Sequence, residues 1–365
     1  MKVKTIYLVP GCILAEDVHK ATNNPIMRKK TVLTEELIEI LHIFLIQNVK
    51  VELTLVNGER FNPKEVEELQ EDDSKTSKKQ TLKKEESFID IYLKTVPKFK
   101  KIFQHWQGGT KVDVYEVRKI FLPLFEVQPT KEELMQLHHY GTKDDYIYFH
   151  SVAVGVLSYM VGKSLKLAKG ELIQLGLAGL LSDCGMARVP FKVFSKRGPL
   201  SVSEYEEVRK HPLLGYKMIE ATPGFSKGAI LGILQHHERE DGSGYPQNLK
   251  GTKLHLFAKI IAICDTYHAM TSERHYRTKQ LPYKVIEAMK KDHFGKFDHI
   301  VLNKFFSIMT DISIGNKVKL NNGEVGKVIF LEDQSFTRPV LQLNEQETLS
   351  LTKHPELFIE ETIRD

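Results

Sequence analysis

The sequence has few cysteines and no long apolar segment. Its 365 residues include only three cysteines, Cys12, Cys184 and Cys264, and none of them belongs to a Cys-x-x-Cys pair. An odd number of isolated cysteines gives no sign of a disulfide framework and is typical of a reducing compartment. The longest apolar run, LIEILHIFLIQNV, contains a glutamate and a histidine and is too short to cross a bilayer. We therefore predict a cytoplasmic protein without a membrane span.

A strong excess of one charge is also absent. The chain has 52 lysines and arginines against 47 aspartates and glutamates, a net charge of +5, and its lysine runs are interleaved with acids. This balance gives no electrostatic basis for binding nucleic acid. With 41% hydrophobic and 27% charged residues, the composition is that of a globular chain of two or three domains.

Hydrophobic periodicity divides the chain into five parts and predicts a mainly α fold. Apolar residues recur at helical spacing through the middle of the chain, whereas the C-terminal part alternates around the turn signal Asn321-Asn322-Gly323. A charged segment between the first module and the helices is expected to be solvated. The predicted parts are a small α/β module at 1–65, a charged linker at 66–86, a helical connecting region at 87–140, a helical domain at 141–311 and a small β-barrel-like module at 312–365.

Two carboxylates and four imidazoles lie in or beside apolar helical segments of the middle region. A buried carboxylate without a partner is costly, so such groups are usually paired or bound to a metal. A lone histidine on an apolar face is more often a hydrogen-bonded core residue, but candidate ligands on several helices are how a bundle builds a metal site. Imidazole and carboxylate donors suit iron, manganese or zinc. The six residues are His150, Asp183, His211, His236, His237 and Asp265.

The stretch HHEREDGSGYP, residues 236–246, begins with two of these histidines. Gly242 and Gly244 permit positive φ angles or a close backbone approach to a ligand, and Pro246 restricts the exit of the loop. A structural helix end would not need most of these residues. The pair His138-His139, in a segment rich in charge, is interpreted instead as structural.

HHEREDGSGYP resembles the signature of the HD-GYP domains, a helical branch of the HD superfamily of metal-dependent phosphohydrolases. The resemblance extends from about His150 to Asp298 and includes HSVAV, LLSDCG, HPLLG, AICDTYHAMTSERHYR and GKFD. It implies an HD-superfamily helical bundle flanked by the two small modules. It also implies a centre of two or three metal ions, often iron or manganese, and cyclic di-GMP as ligand. Members of the family degrade this bacterial second messenger to pGpG or GMP.

The resemblance also implies roles for individual positions. One metal would be held by His150, the HD doublet and Asp265. The other would be held by Asp183, His211, His236 and His237, with Asp183 as the catalytic residue. The residues implied to contact the substrate are Gly244, Tyr245, Pro246, Arg274 and Arg277. The two arginines match the family's phosphate grip, because planar guanidinium groups bind phosphate oxygens in pairs.

Three positions depart from the family pattern. Ser182 stands where the HD doublet has its histidine, Met186 where the family has a lysine, and Tyr146 where members with a third metal have a glutamate. Losing an imidazole weakens the first metal site, and losing the lysine removes a cation beside the phosphate. We therefore predict a signalling protein with a degenerate HD motif that binds cyclic di-GMP and at least one metal, with weak or no hydrolysis.

Two alternatives stay open. The six retained ligands also allow an active phosphodiesterase that works with one metal, or with a water molecule in place of the lost imidazole. A third hypothesis is a scaffold that contacts diguanylate cyclases or other signalling proteins through the GYP surface and binds no nucleotide. The sequence leaves the oligomeric state open, a homodimer included.

Overall fold

The computed structural model describes residues 1–19, 26–63, 86–274, 280–291, 295–310, 312–331, 337–344 and 347–363. The predicted linker at 66–86 lies outside these ranges except for Glu86, and so does Arg277. The described chain is mainly helical, as predicted, with a two-stranded sheet near the N-terminus and a five-stranded sheet near the C-terminus.

The middle of the chain is a succession of helices of different lengths, and the strands lie near its two ends. The helices are α1 (Glu35–Ile43), α2 (Phe88–Gln107), α3 (Val114–Glu126), α4 (Lys131–Gln136), α5 (Tyr146–Ser164), α6 (Lys169–Leu181), α7 (Phe191–Phe194), α8 (Val202–Val208), α9 (His211–Ile219), α10 (Lys227–Gln235), α11 (Leu256–Thr271), α12 (Pro282–Lys291) and α13 (His299–Met309). The strands are β1 (Lys2–Lys4), β2 (Asn48–Lys50), β3 (Lys317–Leu320), β4 (Val325–Phe330), β5 (Val340–Gln342), β6 (Thr348–Ser350) and β7 (Ile359–Ile363).

The N-terminal module has a small hydrophobic core of its own. Strands β1 and β2 pair antiparallel, and α1 is capped by Thr34, whose hydroxyl accepts a hydrogen bond from the Leu37 amide at 3.3 Å. The first strand covers Lys2–Lys4 and is followed directly by the 3-10 turn Thr5–Tyr7. In that turn the Thr5 hydroxyl donates to a backbone carbonyl 41 residues further on, a contact that periodicity does not report.

Glycines allow α5 and α6 to pack closely in the middle of the molecule. A Cβ atom at Gly155 would lie 2.9 Å from the carbonyl oxygen of Gly176, and one at Gly179 would lie 2.7 Å from the Ser158 hydroxyl. Most of α5 is buried on every side, as expected for a helix at the centre of a bundle. The close packing brings the C-terminal end of α6 against α5.

A second close approach positions the turn that follows α6. A Cβ atom at Gly185 would lie 2.0 Å from the carbonyl oxygen of His211, so the 3-10 turn Cys184–Arg188 rests on the first turn of α9. Helix α9 starts at His211 with Pro212 in its first turn, where proline fits because the first turn has no internal partner for its backbone nitrogen. Asp183 directly precedes the 3-10 turn and is therefore held beside His211.

The C-terminal part is β-rich, as predicted, and forms one antiparallel sheet with the strand order β6-β5-β4-β3-β7. The predicted hairpin joins β3 and β4, and Gly323 takes a φ of 88° in its turn, a conformation that favours glycine. Arg338 ties the sheet to the helical region by pairing with Glu287 on α12. No helix within the described ranges is both long enough and apolar enough to cross a membrane.

Candidate metal centre

The fold brings all six predicted ligands together, although they come from five separate segments. His150 lies on α5, Asp265 lies on α11, and Asp183 follows α6. His211 opens α9, and the His236-His237 pair follows α10. One ligand atom from each residue lies within 4.8 Å of the others in two groups. The first group is His150, Asp183 and Asp265, and the second is Asp183, His211, His236 and His237.

The carboxylate of Asp183 belongs to both groups. Its Oδ1 lies 3.1 Å from Nε2 of His211 and 3.8 Å from Nε2 of His236. Its Oδ2 faces the opposite side and lies 3.4 Å from Nε2 of His150. One carboxylate therefore presents an oxygen to each group of imidazoles, which is the geometry required of a ligand shared by two neighbouring cation positions.

Two imidazoles in the second group are oriented by backbone carbonyls. Nδ1 of His211 lies 2.7 Å from the carbonyl oxygen of Val208, and Nδ1 of His236 lies 2.7 Å from that of Ile233. A carbonyl only accepts, so each Nδ1 carries a proton and, in the neutral ring, each Nε2 carries a lone pair. The two Nε2 atoms face each other 3.1 Å apart. Their lone pairs repel unless a proton or a cation lies close to both, so this donor set fits a metal ion.

The protonation states of the residues in the two groups also favour the binding of a cation. Burial opposes charge on Asp183, but the adjoining imidazoles of His211 and His236 hold its pKa well below its ordinary value. The pKa of Asp265 is likewise lowered, because the bond from His150 outweighs burial. Burial and the neighbouring His236 lower the pKa of His237, which keeps its ring neutral. Ionised carboxylates and neutral imidazoles are the forms in which these residues bind metals.

The first group differs from the second because its imidazole is already engaged. Nε2 of His150 lies 2.9 Å from Oδ1 of Asp265. Its Nδ1 lies 3.0 Å from the Tyr146 hydroxyl and 3.1 Å from Nδ1 of His268. His268 is buried, and its Nε2 has no hydrogen-bond partner among the described residues. The sequence interpretation missed His268, although its position one helical turn after Asp265 was a usable signal.

Two of the three positions that depart from the family motif, Ser182 and Met186, do not point ligands into the site. Ser182 is buried, and its hydroxyl donates to the carbonyl oxygen of Gly179 at 2.9 Å, within α6. Met186 is half-buried and packs against the main hydrophobic core. Neither side chain belongs to the two candidate groups. The buried thiols of Cys184 and Cys264 stand next to ligands, but burial raises the pKa of both and keeps them protonated.

The conformation of the loop after His237 is stabilised by contacts between residues of the loop itself. The buried carboxylate of Glu238 accepts hydrogen bonds from the amides of Gln247 and Leu249 at 2.6 and 3.0 Å. Gly242 takes a φ of 82°, as predicted for this loop. At Gly244 the close approach is to the chain itself, since a Cβ atom there would lie 2.3 Å from Cα of Glu238.

The two predicted phosphate-binding arginines cannot both be placed. Arg274 lies with its guanidinium 4.1 Å from the ring centroid of Tyr146 and donates to the Tyr146 hydroxyl. It therefore lies next to the first group through the same tyrosine that contacts His150. Arg277 falls outside the described residues. The His138-His139 pair lies in a 3-10 turn and belongs to neither candidate group.

Comparison with known proteins finds a family similarity over the region that holds this arrangement. Residues 134–300 match the family model described as HD domain, and the His-His-Glu...Gly-Tyr-Pro loop lies inside this range. This region of the chain is therefore similar to the HD domain. HD domains are metal-dependent, and two His/Asp groups that could hold an ion lie within this one.

Phosphodiesterases of cyclic dinucleotides are among the proteins to which this chain is similar. It is 35% identical to a cyclic di-GMP phosphodiesterase of Pseudomonas aeruginosa, over 56% of the chain and 50% of the relative. It is 26% identical to the cyclic di-GMP phosphodiesterase PdeB of Borreliella burgdorferi, over 54% of the chain and 52% of the relative. It is 31% identical to a 3'3'-cGAMP-specific phosphodiesterase of Vibrio cholerae, over 50% of the chain and 43% of the relative. The chain thus spans about half the length of these relatives.

Proposed function

We propose that this protein acts in cyclic di-GMP signalling and binds the dinucleotide at a metal held by Asp183, His211, His236 and His237, with weak or no hydrolysis. The observation that carries the proposal is the pair of Nε2 atoms of His211 and His236, which face each other beside Oδ1 of Asp183. The donor set suits iron or manganese, and the names of the relatives support a cyclic dinucleotide as ligand. A bound ion would supply a positive charge for a phosphoryl oxygen.

The residues around the first group support the weak hydrolysis. Ser182 directs its hydroxyl to the helix backbone, so the first group offers one imidazole from His150 and two carboxylates. Met186 contributes no charge where the family has a lysine. Stabilising the negative charge that develops on a phosphoryl group usually needs such preorganised cations, and the loss of one commonly costs a factor of about 10²–10³ in rate.

The GYP loop supports binding. The ring of Tyr245 stacks on His237 with centroids 4.6 Å apart, so the loop covers one side of the second group. Glu238 and Gly244 hold this loop against the backbone that follows α10. A nucleotide whose phosphate approaches the second group would contact Tyr245 and Pro246, with Arg274 and Arg277 as further phosphate contacts.

The test compares the natural protein with the double variant Ser182→His/Met186→Lys, both loaded with manganese or iron. Calorimetry measures cyclic di-GMP binding, and chromatography measures the release of pGpG and GMP. We expect both proteins to bind, the natural protein to hydrolyse little, and the double variant to gain about 10²-fold or more in rate together with additional bound metal. Equal, substantial rates in the two proteins would overturn the proposal. If the buried Ser182→His change prevents folding, the same comparison of hydrolysis rates is made with Met186→Lys alone.

An active phosphodiesterase is the second candidate. It is favoured by the convergence of all six ligands and by the carboxylate of Asp183, which faces both groups. Turnover of cyclic di-GMP by the natural protein at the rate of the double variant would support this candidate. A scaffold that contacts a diguanylate cyclase without binding nucleotide is the remaining outcome, and calorimetry without any cyclic di-GMP signal would identify it. We place the activity in the cytoplasm, since all three cysteines are buried and unpaired.

A further inference from the structure

Three planar groups form a stack that leads from the second candidate metal group toward the surface. The ring of His237 and the ring of Tyr245 are 4.6 Å apart and inclined by 24°. On Tyr245 lies the guanidinium of Arg209, 4.6 Å from the ring centroid. Arg209 directly follows α8 and is two residues before His211, another member of the second group. The stack therefore connects the metal group to a cation at the edge of the site.

Arg209 is available to a ligand. Its side chain keeps 35% of its surface exposed, and its ion pair with Glu206, at 3.2 Å, involves a carboxylate that is 56% exposed. An exposed pair of this kind contributes little free energy, so a ligand can replace the carboxylate at small cost. The contact with the Tyr245 ring positions the guanidinium over the ring, and a guanidinium in such a contact can still donate its N–H groups to other acceptors.

Other cations near the site are engaged in the structure of the loop. Arg239 donates to the carbonyl oxygens of His236 and Glu238 and lies over the ring of Phe297, 5.2 Å from its centroid. Lys259 pairs with Glu240 and Asp298. Arg209, in contrast, is engaged through an exposed ion pair with Glu206 that a ligand can replace.

The chemistry of a guanidinium edge selects among nucleobases. Guanine presents two acceptors side by side, O6 and N7, which match the parallel N–H groups of arginine. Adenine has an amino donor in place of O6 and repels one arm of the fork. An arginine beside an aromatic ring can therefore bind guanine in preference to adenine when the phosphate of the same nucleotide is fixed nearby.

We propose that Arg209, held on Tyr245, binds the O6/N7 edge of one guanine of the dinucleotide and determines the preference for guanine over adenine. This inference rests on the proposed function, because the phosphate at the metal group places the base beside the stack. Tyr205, half exposed and one turn earlier on α8, adds an aromatic surface on the same side of the helix.

The experiment uses the full metal-loaded chain and measures Kd by calorimetry for cyclic di-GMP and for cyclic di-AMP. The variants are Arg209→Lys, which keeps the charge and loses the fork, and Arg209→Ala. Arg28→Lys, an exposed and ion-paired arginine of the N-terminal module, is the matched control. We expect Arg209→Lys to weaken cyclic di-GMP binding roughly 5- to 150-fold while cyclic di-AMP binding changes less than about twofold. The control keeps the affinities of the natural protein.

The outcomes separate this inference from the proposed function. If the natural protein binds cyclic di-GMP and the ratio of the two affinities is unchanged in both Arg209 variants, the guanine assignment is overturned and the proposed function stands. If the natural protein binds neither dinucleotide, the proposed function fails and this inference fails with it. Metal content and circular dichroism of each variant, equal to those of the natural protein, exclude a loss of the fold as the cause of weaker binding.

Discussion

Nε2 of His211 and Nε2 of His236 point at each other across 3.1 Å, and each ring is held by a backbone carbonyl at its Nδ1. Both carbonyls belong to the residue three positions earlier, so the local helix geometry determines the tautomer of each ring. The contact between the two nitrogens, in contrast, depends on the packing of α9 against α10. This relationship makes the second group the stronger of the two metal candidates.

Removing one of these imidazoles should remove the metal. We expect His236→Gln to lower the affinity for manganese or iron by at least about tenfold, since loss of even a residue that orients a ligand commonly costs 10- to 100-fold. Metal analysis after dialysis measures the effect, and the Tm of the natural protein should fall on chelation while that of the variant stays unchanged. His139→Gln is the control, because His139 is exposed and lies in neither group. Equal metal content in His236→Gln and the natural protein would contradict the assignment.

His268 should stabilise the fold through His150. We expect His268→Leu to lower the free energy of unfolding by about 1–3 kcal/mol, because it leaves Nδ1 of a buried imidazole with fewer partners. Denaturant unfolding of the metal-free protein measures the change. The metal content of the second group should persist, because its ligands do not include His150. A variant as stable as the natural protein would show that the contact between the two Nδ1 atoms contributes nothing.

Gly244 should resist even a methyl group. We expect Gly244→Ala to destabilise the protein by about 1–3 kcal/mol, because its Cβ would lie 2.3 Å from Cα of Glu238 and 2.4 Å from the carbonyl oxygen of His237. Gly198→Ala is the matched control, since nothing lies within 4 Å of a Cβ at that position. Chemical unfolding compares the two variants. Equal stability of both would mean that the loop relaxes without cost.

Asp298 should make stability depend on pH. Burial opposes its charge, but the Val301 amide, Lys259 and the Ile300 amide together lower its pKa below the ordinary value. A pKa lower in the folded than in the unfolded chain stabilises above the unfolded value, and this contribution is lost as the pH falls through the folded value. We expect Asp298→Asn to cost about 1 kcal/mol at neutral pH and the difference to shrink below about pH 4. Urea unfolding at several pH values measures this, and a difference independent of pH would contradict it.

Much of the helical architecture was predictable because its signals are local. Ser201 caps α8 as part of a capping box with Glu204, and Pro212 lies in the first turn of α9. The donor set could also be found, since the ligands stand beside apolar helical runs and within a recognisable loop. The division into domains at the stated boundaries stays a prediction.

Other features depend on contacts that no local pattern reports. The sequence interpretation placed Ser182 as a replaced ligand, but only the fold directs its hydroxyl to Gly179. His268 and Arg209 were missed because their partners, His150 and Tyr245, lie far away along the chain. In the same way, the first strand ends at Lys4, and the hydroxyl of the next residue, Thr5, donates to a distant backbone carbonyl.

The sequence by itself determined the helices, their caps and the identity of the donor groups, because these depend on interactions within a few residues. Only the tertiary structure decided which donor atoms face one another. The turn after α6 rests on α9 because Gly185 has no side chain, and this contact places Asp183 between His150 and His211. A metal site needs lone pairs to converge within a few ångströms, and that convergence is a property of packing.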